Sequence, residues 1–201
     1  MGNPNCSNAG SLRVKGTGFA DWGAAMGVDF MPKVPTDASM FGTNVKGTYN
    51  ASKYKGIAFW AKAAAPVRFV MVKFLDPYTD RSSILPDAEW CDYKAGMPNN
   101  CSPYIVKFGY GYTGDDATAN AADYPAYVDY KIDQNRKRFE ILFAHTKQDR
   151  YNPGLKSPGD KLAVDKLMGM AIQVNSDRTT TPGMILPNDF EIWIDDVTFS
   201  K

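Results

Sequence analysis

The stretch that decides the fold is GIAFWAKA, residues 56–63. Its aromatic and β-branched residues favour a strand, in which Ile57 and Phe59 fall on one face while Trp60 and Lys62 fall on the other. A two-residue repeat is the geometry of a β-strand, whereas a helix would place its apolar residues three and four positions apart. The stretch therefore predicts a strand with one face in a core.

The stretch DFEIWIDDVTF, residues 189–199, alternates in the same way. Ile192 and Ile194 occupy the predicted core face, and Trp193 and Asp195 occupy the opposite face. A tryptophan on a face that also carries charge has two interpretations, and both stay open here. It covers the edge of the core, or it belongs to a sheet surface that faces a ligand.

Further short runs rich in β-branched and aromatic residues recur along the chain and favour strands. With the two stretches above, the runs span residues 11–15, 24–30, 56–63, 67–74, 104–110, 127–133, 137–143, 167–174 and 189–199. No long helical pattern occurs, and only residues 157–167 suggest a helical turn. This pattern predicts an all-β sandwich or barrel. The short connections 63–66 and 133–136 predict two hairpins.

The chain has 201 residues and a formal net charge of +1. This length predicts a single domain, residues 1–201. A near-neutral chain lacks the concentrated positive charge that binding to nucleic acid or to an anionic membrane requires, so neither partner is expected. No apolar run is long enough for a transmembrane helix, and no signal peptide is found. We expect the chain to be a piece of a longer protein.

The span 75–126 stands apart because it is long and rich in Tyr, Asp, Asn and Pro. A connection of this length in a compact domain is usually functional. Cys91 and Cys101 lie in one loop-like stretch of this insertion, which predicts a disulfide, with two free thiols as the alternative. A disulfide implies an oxidising compartment and hence a secreted protein. Cys6 would then stay unpaired.

Most catalytic chemistries lack their residues in this chain. The only histidine is His145, which leaves no zinc site and no convincing catalytic triad. No nucleotide-binding fingerprint occurs. A pair of carboxylates for glycoside hydrolysis remains open, and the candidate acids are Asp76, Asp80, Glu89, Glu140 and Glu191.

Four segments together carry a family resemblance: GSLRV at 10–14, GFADWGA at 18–24, YKGIAFWAK at 54–62 and FEIWIDDVTF at 190–199. Their order resembles the β-jelly-roll carbohydrate-binding modules of bacterial polysaccharide-degrading enzymes, which share the galactose-binding-like sandwich. The resemblance covers both ends and the first half of the chain. It implies a jelly roll of two antiparallel sheets, with the insertion at its rim. It also implies a non-catalytic, secreted bacterial module attached to an enzyme domain in the same chain.

The resemblance also implies a structural calcium ion near the first and last strands. Asp195 and Asp196 match the acidic pair that ends the last strand, and Asn8 and Asp29 are further candidates. Calcium takes six to eight oxygen ligands, so this pair alone would not complete the site.

Binding of a polysaccharide by aromatic stacking and polar contacts has two candidate surfaces. The favoured surface is the insertion rim, with Tyr78, Asp80, Arg81, Trp90 and Tyr93. The other is the sheet face of Trp60, with Lys62 beside it and Arg68 on the next strand, which the predicted hairpin would bring alongside. Two other functions stay open: a protein-interaction or adhesion module on the same sandwich, and a small glycoside-acting enzyme.

Overall fold

The computed structural model describes residues 11–19, 24–31, 33–35, 44–67, 70–80, 102–109, 124–149, 158–174, 177–178, 185–186 and 188–201. Among these residues there are thirteen β-strands and no α-helix. In chain order the strands are β1 (Leu12–Phe19), β2 (Ala24–Asp29), β3 (Lys33–Pro35), β4 (Asn44–Lys46), β5 (Gly56–Ala63), β6 (Val70–Leu75), β7 (Tyr104–Phe108), β8 (Lys137–Leu142), β9 (Lys147–Gln148), β10 (Gly169–Val174), β11 (Asp177–Arg178), β12 (Ile185–Leu186) and β13 (Asn188–Ser200).

The strands form a sandwich of two antiparallel sheets. One sheet has four strands in the order β1-β13-β5-β8, and the other has five in the order β2-β10-β6-β7-β9. Strands β3 and β4 pair with each other, as do β11 and β12. The chain moves back and forth between the two main sheets as it proceeds, in the manner of a jelly roll. The predicted all-β jelly roll of two antiparallel sheets is therefore confirmed.

The core lies between the two main sheets and is rich in aromatic residues. Phe59 of β5 and Phe108 of β7 are each at most 1% exposed, and both rings contact Phe139 of β8, with centroids 5.6 and 5.8 Å away. Burying one side chain of this size contributes about 1.5–3 kcal/mol to the free energy of unfolding. The Phe108–Phe139 contact joins the five-stranded sheet to the four-stranded one.

Gly56 permits the close approach of β5 and β8 at the start of β5. A Cβ atom at this position would collide with the backbone carbonyl of Ile141 on β8. The pairing of Gly56 with Leu142 and of Ile57 with Ile141 therefore depends on glycine. This pairing places the outward side chains of β8 beside those of β5.

The predicted faces of β5 and β13 are confirmed. Ile57 and Phe59 are buried, as are Ile192 and Ile194, whereas Trp60 and Trp193 are half-buried on the outer face. The helical turn expected within 157–167 is present as two short 3-10 helices, Pro158–Asp160 and Val164–Lys166.

The run 127–133 does not form the predicted strand. Pro125–Tyr127 is a 3-10 helix, and Ile132 makes a single bridge to Val67. Both predicted hairpins, through residues 63–66 and 133–136, are wrong. Strand β8 pairs with β5 instead of with the run before it, and β5 and β6 lie in different sheets. A short connection can turn within a sheet or cross between sheets, and the sequence pattern is the same in the two cases.

The insertion 75–126 contains β7, as its run 104–110 predicted, and β7 pairs with β6 and β9. Residues 81–101 and 110–123 of the insertion lie outside the described residues, so the predicted disulfide between Cys91 and Cys101 stays a prediction. Within the part of the chain that the structure describes, no helix is long and apolar enough to span a membrane.

Candidate functional site

The outer face of the four-stranded sheet carries two neighbouring tryptophans. Strands β5 and β13 are paired so that Trp193 lies opposite Lys62 and Trp60 lies opposite Asp195. Trp60 and Trp193 are therefore diagonal neighbours, a relation that brings side chains to roughly 7–8 Å of each other. We call this surface, formed by Trp60, Trp193 and the charged side chains around them, the tryptophan platform.

Cationic side chains lie over both rings of the platform. The guanidinium of Arg136 is 4.7 Å from the ring centroid of Trp60. The Lys62 ammonium and the Arg13 guanidinium are 5.0 and 5.8 Å from the ring of Trp193. Such contacts contribute about 0.5–1 kcal/mol at exposed sites, so a ligand can displace these side chains at small cost.

Carboxylates of β13 hold two of these cations in place. Arg13 Nε donates to Glu191 Oε1 at 2.6 Å, and Arg136 donates to Asp195 Oδ2 at 3.1 Å. The side chain of Glu191 is 19% exposed and that of Asp195 is 18% exposed. The platform thus presents flat aromatic faces together with charged donors and carboxylate acceptors.

An open depression of about 200 Å³ lies on the platform. Its lining residues are Ser11, Trp60, Ala61, Lys62, Arg136, Trp193 and Asp195. Pockets that enclose a small molecule usually measure roughly 300–1,000 Å³. The depression is therefore better suited to one unit of an extended chain that lies along the sheet than to an enclosed small molecule.

The sequence prediction for this face was correct for Trp60 and incomplete for its neighbours. Trp60 lies on the outer face as expected, but its cationic neighbour is Arg136. Arg68 lies outside the described residues, and the hairpin that was expected to bring it beside Trp60 is absent. Arg13 and Arg136 were missed because only the assembled sheet brings them to the tryptophans: Arg13 of β1 lies opposite Trp193, and Arg136 directly precedes β8.

The other predicted surface, the rim, is described only in part. Arg81, Trp90 and Tyr93 lie outside the described residues, whereas Tyr78 and Asp80 lie in a turn, residues 76–80, that follows β6. We call residues 76–80 the Tyr78 turn.

Buried hydrogen bonds hold the Tyr78 turn. Asp76 is 0% exposed; its Oδ1 accepts from the backbone N–H of Tyr78 at 3.1 Å and from the Thr79 hydroxyl at 3.0 Å. Its Oδ2 accepts from the backbone N–H of Ala163 at 3.0 Å. The Asp76 carboxylate therefore joins the end of β6 to the segment around Ala163.

Asp80 is also bonded within the fold. Its Oδ2 accepts from Lys46 Nζ at 2.9 Å, and the same ammonium lies 3.2 Å from Asp29 Oδ1. Burial opposes the charged form of Lys46, but the hydrogen bonds and charges of Asp80 and Asp29 outweigh it, and the pKa of Lys46 is raised. Tyr78 is half-buried, with the Lys166 ammonium 5.9 Å from its ring centroid.

The calcium prediction concerns the end of the platform at Asp195 and Asp196. Asp195 Oδ1 accepts from the backbone N–H of Asp196 at 2.9 Å, and Asp195 Oδ2 is taken by Arg136. Asp196 adopts a left-handed conformation, φ 48°, at a bulge in the pairing of β13 with β5. The described residues hold no group of three acidic, histidine or cysteine side chains that could bind a metal. Calcium at this position stays a prediction.

The outer face of the five-stranded sheet contrasts with the platform. Along β2 and β10 its described residues are mostly small: Ala25, Gly27, Gly169 and Ala171. Where β6 and β7 continue this face, the described outward side chains are Met71, Lys73, Leu75, Ile105 and Lys107. Among the described residues, the aromatic side chains on the outside of the two sheets are thus concentrated on the four-stranded one.

Two solved structures from Clostridium thermocellum are similar to this chain. One is a family 11 carbohydrate-binding module in complex with a β-1,3-1,4-mixed-linked tetrasaccharide, with 10% sequence identity, a TM-score of 0.44, and coverage of 100% of this chain and 94% of that one. The other is the family 11 carbohydrate-binding module of the cellulosomal cellulase Lic26A-Cel5E, with 11% identity, a TM-score of 0.41, and coverage of 96% and 88%. Both TM-scores are below 0.5, so neither likeness says what this chain binds.

No family model matches the sequence, and no curated protein matches it.

Proposed function

We propose that this chain is a non-catalytic module that binds a polysaccharide on the tryptophan platform. The observation that carries the proposal is the diagonal pair Trp60–Trp193 on the outward face of a four-stranded sheet. Pyranose rings have apolar faces that stack on flat aromatic side chains, and aromatic side chains lose little conformational entropy when they bind. Two rings held by neighbouring strands can contact successive units of one glycan chain.

The polar groups beside the rings support the same proposal. Arg136 and Lys62 can donate to sugar hydroxyl groups, and Asp195 and Glu191 can accept from them. All four belong to the same sheet face or line its depression. The sheet holds the strands in register, so the platform needs little rearrangement to bind.

The described candidate acids support a binding module over a glycoside-acting enzyme. Asp76 is bonded to Thr79, Asp80 to Lys46 and Glu191 to Arg13. Glu140 lies 3.4 Å from the Lys55 ammonium. A general acid in glycoside hydrolysis must hold a proton near neutral pH, whereas the Ser200 hydroxyl and the Lys55 ammonium lower the pKa of Glu140.

Affinity electrophoresis against a panel of soluble glycans tests the proposal. The wild-type protein should be retarded by at least one glycan, and Trp193→Ala should lose most of that retardation because the variant lacks a stacking surface. Tyr54→Ala is the matched control, since its ring also carries a lysine ammonium, at 5.1 Å, but lies outside the platform. Retardation by no glycan would refute the proposal and favour the protein-interaction or adhesion module. Release of reducing sugar would favour the enzyme.

Calcium, secretion and attachment to an enzyme domain are part of the same proposal, and they rest on the family resemblance of the sequence motifs. A bound ion that prefers the native state raises the free energy of unfolding by RT ln(1 + [L]/Kd), about 2.7 kcal/mol at a hundredfold excess over Kd. A chelator should then lower the melting temperature of the wild type and leave that of Asp196→Ala unchanged. A wild-type melt that does not respond to prolonged chelation would count against calcium.

A further inference from the structure

The outer face of the four-stranded sheet carries charged side chains of both signs around its two tryptophans. Its cations are Arg13, Lys15, Lys62, Arg136 and Arg138, and its carboxylates are Glu140, Asp189, Glu191, Asp195 and, at the bulge of β13, Asp196. Strand pairing sets this arrangement, because Arg13 lies opposite Trp193 and Arg138 lies opposite Trp60. Each tryptophan therefore has a cation beside it on the neighbouring edge strand.

Three carboxylates of this face have cationic partners other than Lys62. Glu191 is bonded to Arg13 and Asp195 to Arg136. Glu140 faces Lys55, a residue that is not among the five cations. The Lys62 ammonium therefore lies outside the ion pairs that these carboxylates form.

Lys62 is the cation that matters most for a ligand. Its side chain is exposed, lines the depression and places the ammonium 5.0 Å from the ring centroid of Trp193. It forms no ion pair with any residue that the structure describes. The depression thus combines a stacking surface with a positive charge that has no carboxylate partner.

We infer that the glycan bound by the tryptophan platform carries carboxylate groups, as a polyuronate does; this inference rests on the proposed function. A uronate differs from a neutral hexose by a carboxylate at the edge of the same pyranose ring. A sugar that stacks on Trp193 presents that edge to Lys62. Hydrogen bonds to charged groups are stronger than those to neutral hydroxyl groups, so the acidic sugar is preferred.

The test compares two polymers with the same sugar backbone: polygalacturonate, which carries free carboxylates, and its fully methyl-esterified form, in which each carboxylate is a neutral ester. The wild type should bind the free acid about tenfold more tightly, a difference of about 1.4 kcal/mol. The preference should fall as salt is added, because the charges are exposed. Lys62→Met should bind the two polymers equally.

Lys53→Met is the matched control, since the Lys53 ammonium lies over the ring of Tyr54 at 5.1 Å, outside the platform. This variant should keep the preference for the acid. Trp60→Ala should bind the acid about thirtyfold more weakly, which separates platform binding from unspecific attraction to a polyanion.

Each of the following outcomes would overturn the inference. Equal wild-type affinity for the acid and its ester would show that the charge is not recognised, and retention of the preference in Lys62→Met would show that Lys62 does not recognise it. If Trp193→Ala no longer binds neutral glycans and the wild type shows no preference for acidic ones, the proposed function stands and only the ligand class is refuted. Absence of binding to neutral and acidic glycans alike would refute both.

Discussion

The tryptophan platform and the Tyr78 turn both combine aromatic and charged side chains, but they use their charges differently. In the turn, Asp76 is fully buried and accepts from two backbone N–H groups and a hydroxyl, and Asp80 accepts from Lys46. On the platform, Arg13 is 58% exposed and Lys62 is exposed beside a half-buried tryptophan. A buried, fully bonded carboxylate stabilises the fold, whereas an exposed cation over an aromatic ring is available to a ligand.

The largest expected effect is on stability, at Asp76. Asp76→Ala should lower the free energy of unfolding by about 3 kcal/mol, because it leaves the buried Thr79 hydroxyl and the part-buried N–H groups of Tyr78 and Ala163 without their acceptor. Denaturant unfolding measures the change, and the exposed Asp129→Ala is the control. A loss for Asp76→Ala no greater than that of the control would mean that the turn does not depend on this carboxylate.

The next largest effect is also on stability, and it concerns the rim beyond the Tyr78 turn. A disulfide between Cys91 and Cys101 should stabilise the chain by about 2–3 kcal/mol and would restrain the loop next to Trp90 and Tyr93. Titration of the unfolded, unreduced protein should then find a single reactive thiol, that of Cys6. Three reactive thiols would contradict the pairing and leave the rim without its covalent closure.

A direct comparison of the two surfaces comes from their aromatic residues. Trp60→Ala should weaken glycan binding by about 2 kcal/mol, some thirtyfold, because it removes half of the stacking surface of the platform. Tyr78→Ala and Trp90→Ala should bind nearly as the wild type does. The titrations need a thermal melt of each variant to show that it is folded. The opposite ranking would move the site to the rim, which the sequence had favoured.

The smallest effect is expected at Lys46. Lys46→Met should lower the free energy of unfolding by about 1 kcal/mol, since Asp80 loses its ammonium partner in a partly exposed setting. The folded pKa of Lys46 is raised above its ordinary value of 10.5, so its contribution is fully present below pH 10.5 and is lost as the pH rises through the folded pKa.

The difference in stability between wild type and Lys46→Met should therefore be constant from neutral pH to about pH 10 and shrink above it. Denaturant unfolding over this pH range measures it. If the difference in stability already shrinks below pH 9, the effect belongs to a titratable group other than Lys46.

Much of the site could be predicted from local sequence. The prediction succeeded for the face on which a side chain lies and failed for the identity of its neighbours on other strands. The alternation of residues 56–63 placed Trp60 outward, and that of residues 189–199 did the same for Trp193. The pattern could not show that the two tryptophans are neighbours. The family resemblance predicted a sandwich, but not which of its surfaces carries the aromatic residues.

The local residue pattern established that this is an all-β chain and which side chains of β5 and β13 face the core, because alternation is a property of neighbouring residues. Tertiary packing separated β5 and β6 into two sheets and placed β13 between β1 and β5. It also brought Arg136 to Asp195, a residue 59 positions away in the chain. Strand pairing joins distant segments, and its register depends on packing across the whole sandwich, which no local pattern contains.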